Sequence, residues 1–210
     1  MDGQPVTIDA NTVYVNGSVD TLALDVKVAV DGTLDVSDTL IADRIVFRLP
    51  SLIEIEADVE AIESGTGEVT VLGIVVETDE STLFYDRSAT SVQDFGLDDL
   101  AVGDRVAIRA YEDAGSIIAS KFGRYDPGTA VTLKASVDSI ARPSVTMLNV
   151  MATSDDNTVF QNADKEVITA DDFYTIVDVG SLVRATGTYD GTSILASRMF
   201  LRECQNNGCL

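Results

Sequence analysis

The 210-residue chain has no histidine, no tryptophan, two cysteines, and only 14 basic residues against 35 acidic ones. Without histidine there is no ordinary general base near neutral pH, no imidazole metal ligand, and no Ser-His or Cys-His nucleophile pair. Aromatic residues make up 6% of the chain and hydrophobic residues 45%, so a core must be built from Val, Ile, Leu and Ala. The recurrence of valine and threonine favours strands. A net charge of −21 repels phosphate backbones and anionic lipid, so nucleic acid and membrane surfaces are not expected partners. Solubility is the plainest reading of that charge, and a salty or calcium-containing exterior would screen it. No run of eighteen apolar residues is present, so no membrane insertion is expected.

The two cysteines, Cys204 and Cys209, stand in the tail Cys-Gln-Asn-Asn-Gly-Cys. Asn207-Gly208 is turn chemistry, and a disulfide across this short loop is expected in an exported protein. Zinc would need more ligands than the tail supplies.

What the chain does have is a sentence written three times. Leu40-Ile41-Ala42-Asp43-Arg44-Ile45 returns as Ile117-Ile118-Ala119-Ser120-Lys121-Phe122 and as Ile194-Leu195-Ala196-Ser197-Arg198-Met199. The central alanines are 77 residues apart both times. A fixed period of this kind marks tandem structural units. Upstream of each copy lies an Asp-x-x-Thr-x-aromatic pattern: Asp9 with Thr12 and Tyr14, Asp79 with Thr82 and Phe84, Asp155 with Thr158 and Phe160. It reads as a strand end, an Asx-type turn and a short strand with an inward aromatic. Between them come Leu24-Asp25-Val26-Lys27-Val28, Val102-Gly103-Asp104-Arg105-Val106 and Val179-Gly180-Ser181-Leu182-Val183, each leading into a closing hairpin.

The second and third copies have a front half, Ile55 to Ile62 with Val69 to Gly73, and Leu133 to Ile140 with Val145 to Asn149. Each complete module thus predicts five short strands with a non-strand segment between the third and fourth. In the second module that segment covers residues 91–100, with Val92, Phe95 and Leu100 available to face inward, and in the third about 163–176. The expectation is an all-β protein of three tandem small barrels of the OB type, the first lacking its N-terminal hairpin. A small open β-sandwich is the rival. The expected domains are a partial module at 1–49, full modules at 51–125 and 128–203, and a Cys-containing tail at 204–210, with Leu49-Pro50-Ser51 and Tyr125-Asp126-Pro127-Gly128 as short linkers.

These residues resemble a bacterial family of tandem repeats of a domain of unknown function. The resemblance rests on Gly73 and Val76, Thr82 with Phe84, Val102 to Val106, and Ile117 to Phe122. It implies exported, OB-like repeat proteins, often periplasmic or lipid-anchored, and carries no catalytic residues to this chain. The third module departs at Asn149 and the first at Asp25, where the pattern has glycine.

The acidic pairs Asp79-Glu80, Asp98-Asp99, Asp155-Asp156 and Asp171-Asp172 are read as solvated loop acids. Asp79, Glu80, Asp155 and Asp156 are the calcium candidates, since calcium takes clustered loop carboxylates, but no EF-hand loop is present. No enzyme activity and no cofactor is expected. Lys121, Arg124 and Tyr125 form the best local nucleic-acid-like cluster, read as a solvated strand end. Asn16-Gly17-Ser18 matches a glycosylation acceptor, a triplet common by chance.

Two functional classes follow. The first is an extracellular or periplasmic structural protein of a cell-surface fibre or array. Met1 aligns with Val71 and Met147, so the first module lacks the counterpart of about Leu52 to Thr70. A strand from another chain, with Met199 to Glu203 as candidate donor, would fill the gap head to tail. Residues upstream of Met1 are the competing source. The second class is an exported module binding an oligosaccharide, a peptide or calcium through barrel loops.

Overall fold

The computed structural model describes residues 5–24, 26–47 and 50–202. The chain divides into two compact units, Met1–Pro50 and Ser51–Leu210. Among the described residues, apart from the short α-helix named below and two single 3-10 turns, all the regular structure is β. No helix among the described residues is long and apolar enough to cross a membrane.

The first unit holds β1 (Val6–Thr7), β2 (Val13–Val15), β3 (Val28–Leu34) and β4 (Leu40–Phe47). β4 is the hub: β1 and β2 pair parallel to it on one side and β3 antiparallel on the other. Its small core is Ala42, Ile45 and Phe47, with Tyr14, Leu22, Val28 and Val30 packed against it.

The second unit opens with β5 (Ile53–Glu63), β6 (Glu68–Val71), β7 (Ile74–Glu77), β8 (Leu83–Asp86), β9 (Arg105–Asp113) and β10 (Ser116–Tyr125). Strict alternation shapes β5: Ile53, Ile55, Ala57 and Val59 are buried while Glu54, Glu56, Asp58 and Glu60 face outward. Pairing runs β5–β6–β7–β10–β9 and returns to β5, with β7 and β10 parallel. Between β8 and β9 a 3-10 turn at Leu97–Asp99 brings Phe95 and Leu100 into the core.

The same course is repeated by β11 (Val131–Ser136), β12 (Ser139–Ala141), β13 (Ser144–Met147), β14 (Val150–Gln161), β15 (Val167–Ile168), α1 (Ala170–Ile176), β16 (Leu182–Tyr189) and β17 (Ser193–Arg202). β11 pairs with β16 and β12 with β13, and only Val137 and Asp138 separate β11 from β12. The circuit therefore closes through β13, β14, β17 and β16. α1 is capped by the Thr169 hydroxyl, which accepts from the Asp172 N–H, and it buries Phe173. The Leu148-Asn149 turn has both residues at positive φ, as Leu72-Gly73 does, so asparagine serves where the earlier repeat has glycine. Asp25, the other departure from the pattern, lies outside the described residues.

The expectation of three separate barrels is not met in that form. The first unit is an open four-stranded sheet, and β11 pairs with β5 as well as β16, so the later two repeats share one thirteen-stranded sheet. Their apolar cores also merge into one. The reason is edge chemistry: β5 and β11 each offer a second row of N–H and C=O groups, and pairing them satisfies both. Successive repeats joined through a common sheet have the continuity of a solenoid.

Candidate functional site

The Asp-x-x-Thr pattern builds the same clasp three times. Thr12, Thr82 and Thr158 donate their hydroxyls to the carbonyls of Ala42, Ala119 and Ala196 at 2.8, 2.7 and 2.6 Å. Each threonine oxygen also accepts the N–H of its own aspartate, Asp9, Asp79 or Asp155. The aspartate carboxylates cap the turn, taking the N–H of Asn11, Ser81 and Asn157. The bonds from Asn157 hold the Asp155 carboxyl below its ordinary range. Each clasp closes over a bulge, where Asp43, Ser120 or Ser197 is the extra residue in the closing strand.

The calcium candidates therefore have structural partners of their own. Asp79 and Asp155 are turn caps, and Glu80 and Asp156 are exposed beside them. Among the described residues no three acidic or cysteine side chains gather where they could hold a metal ion. Cys204 and Cys209 lie outside the described residues. The expected donor segment is corrected: Met199 and Phe200 are already paired on both sides, with β14 and β16, and Met199 is fully buried. Releasing them would open the repeat's own sheet. Glu203 lies outside the described residues.

The expected cluster of Lys121, Arg124 and Tyr125 is split by strand alternation. Arg124 turns toward the core edge, binding Asp86 at 2.6 Å and lying over the Phe95 ring. Its hydrogen bond drives the fully buried Asp86 carboxyl far below the usual carboxylate range, against the upward pull of burial. Lys121 and Tyr125 stay on the outer face.

That outer face carries the arrangement that sequence reading missed. Register sets Lys121 opposite Arg109, Arg109 opposite Glu54, Glu54 opposite Lys134, and Lys134 opposite Arg184. The result is one row across five strands and both repeats, four cations to one acid. Lys134 Nζ binds Glu54 Oε1 at 2.8 Å, while Arg109 approaches the same oxygen at 3.5 Å and Arg184 approaches Oε2 at 3.8 Å. Partial burial pushes the Glu54 carboxyl up, but the Lys134 hydrogen bond and the three cationic charges outweigh it and hold the group below its ordinary value.

Beside the row is a cleft of about 160 Å³ walled by Tyr85, Tyr125, Arg109 and Arg184 and floored in part by Ala107 and Thr132, with the carboxylates Glu54 and Glu56 also in its lining. The two tyrosine rings meet edge to face, centroids 6.2 Å apart, with hydroxyls at 3.4 Å. Tyr85 lies directly on Gly123, where an added Cβ would fall 2.3 Å from the ring. Burial, then the Tyr125 hydroxyl, push the Tyr85 phenol up to about 12.

The family model described as a domain of unknown function, DUF5666, matches residues 1–46 and 56–121, more than half of the chain. The chain belongs to the DUF5666 family. The match covers the first repeat and most of the second, with two of the three clasps. No curated protein and no solved structure matches.

In this DUF5666 chain the first unit differs from the later repeats at one edge. β3 is the counterpart of β9 and β16, whose outer edges are paired by β5 and β11. Among the described residues β3 pairs only with β4. Val106, Ile108, Val183 and Ala185 are fully buried under those partners, whereas Val28 and Val30 at the same positions are only partly buried, and Leu34 on β3 is 63% exposed.

Proposed function

We propose that this protein is a non-catalytic, extracytoplasmic assembly subunit whose first unit takes up a β-strand from a neighbouring copy along the outer edge of β3. The observation that carries the reading is that edge: a row of backbone donors and acceptors beside half-covered valines, where both later repeats have a strand. Strand addition satisfies the backbone groups and covers the apolar side chains together. Fully covering a valine is worth about 1.5–3 kcal/mol. A head-to-tail contact of this kind does not close on itself and propagates a fibre or array. The incoming strand is expected to alternate apolar and polar residues as β5 does.

The later repeats are read as OB-like barrels. The closed pairing circuits, with parallel third and fifth strands and a helical segment before the fourth, support that reading. A structural role fits the chemistry of the displaced carboxylates, since Asp86 and Asp155 each answer to a local partner rather than to an open cleft. Export accords with the acidic surface and the family resemblance. No cofactor is needed for strand addition, and melting curves with and without calcium test the turn acids separately.

Size-exclusion chromatography with light scattering, and negative-stain microscopy, test the assembly. The expected result is concentration-dependent head-to-tail oligomers. Leu34→Lys, a charge on the edge strand, is expected to reduce them to folded monomers. A uniformly monomeric and stably folded parent protein would overturn the reading and point to an edge filled within one polypeptide.

A further inference from the structure

We propose that a β-hairpin of the partner chain, not a lone strand, completes the first unit, which rests on the reading that a neighbouring copy fills it. The hairpin has an apolar inner face and sets a basic residue opposite Asp31. Strand register fixes which residues of the later repeats correspond to those of the first unit. Ala42, Ala119 and Ala196 pair with Gly32, Ala110 and Gly187. The residue before each alanine, Ile41, Ile118 or Leu195, pairs with Thr7, Glu77 or Thr153. Val30 thus stands where Ile108 and Ala185 stand, and Val6 where Val76 and Ala152 stand.

Two edges of the first unit are open, not one. Among the described residues β1, like β3, pairs only with β4. In the second repeat β9, the counterpart of β3, is paired by β5, and β7, the counterpart of β1, is paired by β6. β5 and β6 are the two arms of one hairpin. In the third repeat β11 pairs with β16 and β13 with β14 in the same places. The inner face between the two edges is uncovered to match. Val76 and Ala152 are fully buried opposite Val69 and Val145, whereas Val6 is 43% exposed. A single strand along β3 would leave Val6 and the outer edge of β1 in water. A hairpin pairs both edges at once and lays a second row of apolar side chains over the face, as Val69 and Val71 do in the second repeat.

Charge narrows the leading arm. Arg109 faces Glu54 across the β5–β9 ladder, and Thr186 faces Thr132 at the same place in the third repeat. In the first unit that place belongs to Asp31, whose side chain is 68% exposed and lies 3.8 Å from Arg44. An acid directly opposite Asp31 repels it, and a lysine or arginine there attracts it. The inward positions of the arm follow Ile55 and Leu133, which face Ile108 and Ala185, and then Ala57 and Ala135, which face Val106 and Val183. A large aliphatic residue therefore meets Val30, and a small one meets Val28.

A labelled peptide of residues 53–71, spanning β5 and β6, is the probe, and fluorescence anisotropy reads its binding to the full chain below the concentration at which oligomers form. With Glu54→Lys in the peptide, saturable binding is expected. The unaltered peptide sets Glu54 against Asp31 and should bind at least about threefold more weakly. Asp31→Lys in the protein should reverse that order. The Glu54→Lys peptide cut to residues 53–63 has no second arm and should bind about tenfold more weakly or worse, since Val6 stays uncovered. Hydrogen exchange should slow at the amides of both β1 and β3 with the hairpin, and at β3 alone with the single strand. Equal affinity for the two longer peptides would overturn the charge assignment. A single strand that binds as tightly as the hairpin, or protection confined to β3, would overturn the hairpin, and no saturable binding would overturn both. Should Asp31→Lys melt lower, the two peptides on the parent protein decide alone. Light scattering of the parent protein separates the two levels. Oligomers without hairpin binding leave strand addition standing and overturn the hairpin, whereas hairpin binding by a parent that stays monomeric supports the hairpin and overturns the assembly.

Discussion

Thr158 donates its hydroxyl to the carbonyl of Ala196 at 2.6 Å, at the point where the closing strand loses register with both neighbours. The ladder between β14 and β17 breaks from Ser154 to Val159, and the one between β16 and β17 breaks at Thr186 and Gly187. The hydroxyl reaches the carbonyl across that double interruption. Thr158→Val keeps the shape and removes the donor. It is expected to lower stability by about 1–2 kcal/mol in denaturant unfolding, with Thr82→Val matching it in the preceding repeat. No loss in either variant would mean that water serves the carbonyl equally well.

Much of this clasp was legible before the structure. The 77-residue period, the turn at Asp155 and the closing strand were all visible as residue patterns. The target of the threonine was not, because Thr158 and Ala196 are 38 positions apart and only strand register joins them. The arginine row was less visible still. Glu54 and Lys134 meet over 80 positions across the join of two repeats, and they are not counterparts of one another in those repeats. Tandem periodicity therefore reveals what each repeat does for itself and hides what two repeats make between them. The shared sheet escaped notice for the same reason: nothing local to β5 or β11 says that their outer edges will meet.

Gly187 faces the bulge of its closing strand so closely that an added Cβ would sit 1.9 Å from the Leu195 carbonyl oxygen. Gly32 meets Ile41 in the same way at 2.0 Å. The obstacle is backbone, which cannot rotate aside. Gly187→Ala is expected to destabilise the second unit by about 1–3 kcal/mol, read as a lower denaturant midpoint. Ala110, the counterpart in the second repeat, already carries the methyl group, and Ala110→Gly there should bring no gain.

Asp86 and Arg124 predict an acid limit. The Arg124 hydrogen bond holds the Asp86 carboxyl far below its ordinary value of 3.8, so the unfolded chain takes up the proton first as pH falls. The stabilisation is complete above that ordinary value and is lost progressively below it, toward the folded-state value. Asp86→Asn is expected to cost about 3 kcal/mol at neutral pH by leaving the Arg124 charge short of its closest partner. It should also flatten the fall in stability below the ordinary value. Urea midpoints measured from pH 6 down to pH 2 would show both effects, and an unchanged acid slope in the variant would refute the assignment to this pair.

Tyr85 predicts the opposite limit. Its phenol is pushed up to about 12 by burial first and then by the Tyr125 hydroxyl, while an unfolded tyrosine ionises at 10.0. The folded protein therefore keeps a proton that the unfolded chain has already released, and stability must fall as pH rises between those two values. Burial raises Tyr174 and Tyr189 as well, so they act with the same sign. Absorbance at the tyrosinate band should show these tyrosines ionising at higher pH in the folded protein than in urea. Tyr125→Phe removes one cause and leaves the other, so the Tyr85 titration should move down without reaching the unfolded value. A Tyr85 that titrates at the unfolded value of 10.0 in the folded protein would mean that its ring is not held on Gly123.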